Sequence, residues 1–312
     1  MKNLILSVMA AALSLAATAQ PKIEVAKYLG DRQAAISYTF DDGLLEHYTL
    51  VFPQLKKHGL KASFCIIGSK IGHDMKGTPC MTFAQLREMA ADGQEITSHG
   101  WSHKAVTKIT GEALRHEVQH NDTVIMDSVG VFPRTFFYPG NRKTREAMDV
   151  CSRDRVGTRT FQASIGSKRD SAWLRRWIDG IVQRGEWGVG MTHGITRGYD
   201  AFKNPQILWS HFSYAASLKD KLWIATFHDV AAYIRERDDI KLKVRHKKTH
   251  IEVKPRLGLD KGIFNMPLTL VVRATRHITA EQDGKRLTTT AKGDRQIFDF
   301  DPCGGKITIR YE

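Results

Sequence analysis

Cysteine is scarce. The four residues of the 312-residue chain (Cys65, Cys80, Cys151, Cys303) form no CxxC pair and show no tight spacing. That excludes a zinc-thiolate module and a small scaffold held by bridges instead of a core. Cys65 lies in an apolar run and reads as a core residue, while Cys65–Cys80 and Cys80–Cys151 pairings stay open. There is no Gly-x-Ser-x-Gly elbow, which excludes a serine hydrolase of that type. After the first twenty residues no apolar stretch is long enough to cross a bilayer, so no membrane span is expected in the mature protein. No internal repeat, low-complexity linker or nucleic-acid-binding motif occurs, and nucleic acid is not an expected partner. With 42% hydrophobic and 26% charged residues, global disorder is excluded.

The N-terminus has a different texture. Lys2 precedes an apolar run from Leu4 to Ala16, and Ala17-Thr18-Ala19 is a small-x-small cleavage site. This predicts a signal peptide over residues 1–19 and an exported protein, periplasmic or secreted.

From Lys22 onward, apolar strand-like runs alternate with amphipathic helical ones. Strands are expected at 34–40, 62–67, 95–98, 135–138, 155–160, 187–192 and 222–226. Helices are expected at 45–57, 83–91, 111–127, 145–151, 170–184, 206–219 and 230–237. Such βα units predict an α/β fold with a parallel sheet, a (β/α) barrel, incomplete or distorted, over residues 20–239. Trp173 and Trp177 fall on the core face of their helix. Past residue 239 short alternating strands and turn signals at Asp283-Gly284 and Cys303-Gly-Gly305 predict a small antiparallel β-sandwich-like domain over 240–312. This last segment is basic, with 16 Lys/Arg against 8 Asp/Glu, within an overall formal charge of +14. The excess fits either a solvated face or attraction to an anionic polymer.

Four stretches combine chemistry with position. Ser37–Gly43 ends an apolar strand in Asp41-Asp42-Gly43. Two adjacent carboxylates repel, and a cation with one Asp as ligand and the other as base would compensate them; alone, the stretch equally fits an Asp-Gly turn. His99-Gly-Trp-Ser-His103 places two imidazoles four apart, just past a strand. With Asp42 they make a His-His-Asp set, the make-up of a metal centre with open positions. His193 follows the strand ending at Thr192. Tyr138-Pro139-Gly140 closes another strand with a turn whose N–H groups could face a substrate. All four lie at carboxyl ends of expected parallel strands, where barrel chemistry sits.

In this order the stretches resemble the polysaccharide deacetylase family, the NodB-like carbohydrate esterases, over about residues 30–238. The resemblance implies that Asp42, His99 and His103 hold a divalent metal, zinc foremost, with cobalt or nickel as other occupants. It implies Asp41 as general base, His193 as general acid, and Tyr138, Pro139 and Gly140 as the oxyanion and substrate turn. The implied activity is hydrolytic removal of N- or O-linked acetyl groups from a polysaccharide or oligosaccharide, and an anionic glycan is one of the two readings that the basic charge leaves open. The chain departs from the family pattern twice. Phe137 stands where the family carries the arginine that orients the base, leaving Arg134 or Arg142 as replacements. The family's Asp-Trp stretch that tunes the acid histidine has only Asp170–Trp173 as a loose match, with Asp179 as another candidate. These departures motivate an alternative, a glycan-binding protein with a catalytically weak barrel.

Overall fold

A computed structural model describes residues 21–274 and 276–312. The expected signal peptide lies outside the described residues. No helix among the described residues is long and apolar enough to cross a membrane.

The strands, in chain order, begin with β1 (Ile23–Val25), β2 (Ala34–Phe40), β3 (Ser63–Ile66), β4 (Glu95–Ser98) and β5 (Thr135–Phe137). They continue with β6 (Gly157–Arg159), β7 (Ala163–Ser164), β8 (Trp187–Thr192) and β9 (Leu222–Ile224). The helices are α1 (Phe52–His58), α2 (Phe83–Ala91), α3 (Gly111–Val129), α4 (Arg145–Cys151), α5 (Ser171–Arg184), α6 (Gln206–Ser217) and α7 (Phe227–Asp239). Strands β2 to β9 form one parallel sheet in the order β6-β5-β4-β3-β2-β8-β7, with β9 also paired to β2. β2 is buried along its whole length, as a central parallel strand covered on both faces must be. The edges β6 and β7 make no ladder with each other, but only three residues separate them in sequence. The chain itself spans the gap, and the barrel is incomplete, as expected.

Helix α5 lies close against β8 because two strand positions carry no side chain. A Cβ at Gly188 would come within 2.2 Å of the Ile181 side chain, and one at Gly190 within 3.1 Å of Trp177. Between residues 45 and 57 the expected single helix is divided. His47–Val51 is a π turn, and α1 follows. Pro53 has no N–H to continue an i→i−4 ladder, and the Phe52 N–H donates to the His47 carbonyl five residues back.

The strands that follow α7 are β10 (Lys241–His246), β11 (Ile251–Arg256), β12 (Leu268–Arg273), β13 (Ile278–Gln282), β14 (Lys285–Leu287), β15 (Thr290–Lys292), β16 (Arg295–Phe300) and β17 (Ile307–Tyr311). They form two antiparallel sheets, β10-β11-β17-β13-β14 and β1-β12-β16-β15. The second sheet takes β1 from the far end of the chain, with Ile23 opposite Val272. Leu268, Leu270, Phe298, Ile307 and Ile309 fill a core that also holds Trp223, Val230 and Tyr233 from the barrel segment. The lysines of β10 face outward: Lys241 and Lys243 are exposed on an edge strand, where charge discourages pairing with another chain. All four cysteines are free, so neither open pairing forms.

Candidate active site

Strand β2 places the two carboxylates and then turns sharply. The Asp41 N–H continues the ladder by donating to the Thr192 carbonyl. Asp42 has φ 78° and Gly43 φ 72°, both left-handed. The turn splays the two side chains, and a non-glycine residue held there marks a position the fold over-determines. His103 shares the trait, with φ 61°.

Asp42, His99 and His103 converge. The Asp42 Oδ1 lies 3.6 Å from His99 Nε2 and 3.6 Å from His103 Nε2, and the three atoms lie within 4.8 Å of one another. Tetrahedral ligands at bond lengths of about 2.0–2.1 Å stand roughly 3.3 Å apart, so the spacing suits a small divalent cation. The tautomer suits it as well. His99 Nδ1 bonds the Phe137 carbonyl at 2.7 Å, which puts the proton on Nδ1 and leaves the Nε2 lone pair facing Asp42. Burial pushes the His99 imidazole down to about 4, so it is neutral as a ligand must be. Asp42 Oδ1 is buried with no hydrogen-bond partner among the described residues, an orphaned acceptor that a cation would satisfy. The donor set fits a divalent metal.

Glu117 of α3 holds the His103 loop. Its Oε1 accepts the Ser102 N–H at 2.7 Å and the Lys104 N–H at 3.2 Å, and its Oε2 accepts the Ser102 hydroxyl at 2.8 Å. A Cβ at Gly100 would approach Glu117 Oε1 within 2.9 Å. Sequence reasoning missed Glu117; the available signal was an acidic residue flanked by Leu114 and Val118 on the buried face of a helix.

Asp41 belongs to a different network. Arg159, at the end of β6, donates from Nη1 to Asp41 Oδ1 at 2.7 Å and from Nη2 to Oδ2 at 2.5 Å. Nη1 also reaches the Thr39 hydroxyl at 2.8 Å. The guanidinium lies over the Phe137 ring, 4.3 Å from its centroid. The expected replacements are elsewhere: Arg134 bonds the Asp154 carbonyl, and Arg142 is exposed. An arginine on the next strand thus reaches Asp41, and Phe137 is the platform it stacks on. Burial opposes ionisation of Asp41, but the Arg159 guanidinium outweighs it and holds the carboxyl well below the usual range. Cys65 adds a thiol donor to Asp41 Oδ1 at 3.2 Å. A second possible ligand group, Asp41 with Cys65 and His99, is less suited to a cation because Arg159 already neutralises its carboxylate.

His193 follows β8, with Nε2 3.9 Å from Asp41 Oδ2. Its carbonyl pairs with His47 Nε2 at 2.8 Å, and Glu46 Oε2 accepts the N–H groups of Ile195 and Thr196 at 3.0 and 2.8 Å. The segment around the π turn therefore fixes the His193 loop. His193 Nδ1 is buried and has no partner among the described residues. Neither expected tuning residue reaches it: Asp170 caps α5 by accepting the Trp173 N–H, and Asp179 pairs with the Tyr214 hydroxyl.

A cavity of about 880 Å³ is lined by Asp41, Asp42, His99, His103, His193, Tyr138 and Gly140. Pro139 is buried behind it, and the Tyr138 hydroxyl is engaged with Thr158 at 3.0 Å. Gly140 and Asn141 have φ values of 63° and 58°.

Residues 30–156 match the family model for polysaccharide deacetylase. This segment belongs to the polysaccharide deacetylase family. Within this family it is similar to YxkH of Bacillus subtilis, 28% identical over 121 residues that make up 39% of this chain and 42% of the relative. It is also similar to the peptidoglycan-N-acetylglucosamine deacetylase PgdA of Listeria monocytogenes, 30% identical over 105 residues, 33% of this chain and 21% of the relative. The chain thus spans less than half the length of these two relatives. A crystal structure from Mycobacterium smegmatis has the same fold at 12% identity, with a TM-score of 0.55 over 69% of this chain and 94% of the other.

Proposed function

We propose that the chain is an exported, metal-dependent hydrolase that removes N- or O-linked acetyl groups from a polysaccharide or oligosaccharide. The observation that carries the reading is the convergence, in one cavity, of an orphaned Asp42 between two imidazoles with an arginine-held Asp41 and His193 beside them. The relative PgdA, named for deacetylation of peptidoglycan N-acetylglucosamine, supports the reaction class.

Asp42, His99 and His103 would hold the metal, zinc foremost, with cobalt or nickel as other occupants. When bound, such a cation supplies Lewis-acid polarisation of the acetyl carbonyl and lowers the pKa of water. Asp41 takes the proton of the attacking water. Ionised and gripped at both oxygens by Arg159, it keeps one orientation toward the cavity. His193, with Nε2 3.9 Å from Asp41 Oδ2, protonates the departing sugar oxygen or nitrogen. The Gly140 N–H, just after Pro139, would donate to the carbonyl oxygen as it gains charge; such a donor typically contributes about 3–4 kcal/mol. The products are acetate and the free hydroxyl or amine.

The alternative of a binding-only barrel rested on the missing arginine and the missing Asp-Trp stretch; Arg159 fills the first gap and favours catalysis. The test is acetate release from a panel of acetylated xylan, chitin and peptidoglycan fragments, with bound metal counted. Metal-loaded wild type should release acetate from at least one, and Asp42→Ala should lose both metal and activity. A metal-loaded chain that releases none from any substrate would overturn the proposal.

A further inference from the structure

Unpaired positive charge collects on one flank of the cavity. Lys168 and Arg169 line both the active-site cavity and a neighbouring hollow of about 340 Å³, where Arg176 and Lys203 join them. Among the described residues these four cations have no carboxylate within ion-pair distance, whereas nearby Arg197 has Glu46 at 3.7 Å. The acidic residues on this flank are already committed. Asp200 accepts the Ser167 N–H and hydroxyl at 3.1 and 2.7 Å, and Asp170 accepts the Trp173 N–H at 2.7 Å.

The flank is also built to stay in place. It is the loop between β7 and α5, at the carboxyl end of a parallel strand. Asp200 pins it, and a Cβ at Gly166 would meet the Asp200 carboxylate at 2.2 Å, so the two loops lie in direct contact. Arg169 donates from Nε to the Ser164 carbonyl at 3.2 Å, and its guanidinium stacks over Trp173 at 4.0 Å. Its two terminal nitrogens make no hydrogen bond among the described residues. A half-buried guanidinium held by one nitrogen, with the other two free, matches the fork that recognises a carboxylate.

We propose that Lys168 and Arg169 form a subsite for the carboxylate of an acidic sugar next to the acetylated one, so that the glycan taken is a uronic-acid-bearing one. The proposal rests on the deacetylase reading for the reaction but not for the binding. Steering of an anionic polymer toward a positive flank also weakens with salt, because exposed charges beyond about 8–10 Å are screened at physiological ionic strength.

The test is calorimetric binding of hexagalacturonate and of xylohexaose, both unacetylated, at low and at physiological salt. Wild type should bind hexagalacturonate at least tenfold more tightly than xylohexaose at low salt, with the advantage falling as salt rises. In Lys168→Gln/Arg169→Gln, checked for an unchanged melting temperature, that ratio should fall at least tenfold, and Arg169→Lys should lose only part of it. Lys243→Gln/Lys254→Gln, on the exposed faces of β10 and β11, should keep the ratio. Equal affinity of wild type for the two oligosaccharides, or loss of the preference in the sandwich variant and not the cleft variant, would overturn the subsite. Acetate plays no part in this measurement. A chain that binds hexagalacturonate through Lys168 and Arg169 yet releases no acetate from any substrate would sink the deacetylase reading and leave this one standing.

Discussion

Two arginines four residues apart, Arg155 and Arg159, each make a buried pair with an aspartate. Arg155 Nη2 bonds both oxygens of Asp122 at 2.6 and 2.5 Å, and Arg159 uses two nitrogens, one for each oxygen of Asp41. The surroundings separate them. Asp122 lies on α3 and faces Arg155 of the segment before β6, and burial lifts its carboxyl above the usual range despite Arg155. Asp41 lies at a strand end facing the cavity, where Arg159 outweighs burial. A buried arginine–carboxylate pair by itself is weak evidence of stability or of function. What distinguishes the Asp41 pair is an open cavity, a neighbouring ligand set and a second titratable group within 4 Å.

That contrast can be broken at its aspartates first. Asp41→Asn should lower the acetate-release rate by about 1000-fold, within the usual range for a general base, and Asp122→Asn should leave the rate within about threefold while costing about 3–5 kcal/mol of stability. Steady-state acetate release alongside denaturant melts separates the two. Next, Glu117→Gln weakens the hold on the His103 loop. Supporting residues around metal ligands typically contribute about 10–100-fold in affinity, so competition with a chelator should show a loss of that order.

A smaller effect belongs to Glu236, buried on α7 where it accepts the Met266 N–H of the sandwich segment at 2.9 Å. Burial pushes its carboxyl up to about 7 from an ordinary value of 4.5. The folded state therefore holds this proton more tightly than the unfolded one. The stability it confers is full below about pH 4.5, declines as pH rises, and is lost above about 7, a change of up to about 3 kcal/mol. Glu236→Gln should melt higher than wild type at pH 8 and alike at pH 4; equal melting at both would show that the carboxyl is not perturbed.

Much of this site was legible in the sequence because its parts lie at strand ends. Asp42, His99, His103 and His193 each follow an apolar run, and a parallel sheet brings such ends together. Arg159 was not legible. Its partner is 118 positions away, and inside a short strand nothing announces which way a charged residue faces. Glu117 hid for a similar reason, as one acid among polar and apolar residues on a long helix. The place of β1 escaped because three residues carry too little pattern to separate them from the barrel segment that follows. The divided helix at 47–58 had a visible cause in Pro53, and its consequence, the anchoring of the His193 loop by Glu46 and His47, is a tertiary one.

The most direct measurement compares Arg159→Met with Arg155→Met, each loaded with metal and its metal counted, in single-turnover acetate release. Each substitution leaves a buried carboxylate unpaired and should destabilise the fold by a similar amount, about 3–5 kcal/mol. If Arg159 holds the base, Arg159→Met keeps its metal and slows the chemical step by about 100-fold, while Arg155→Met stays within about threefold of wild type. Equal slowing in both variants, or a metal-loaded Arg159→Met that turns over at the wild-type rate, would contradict the account.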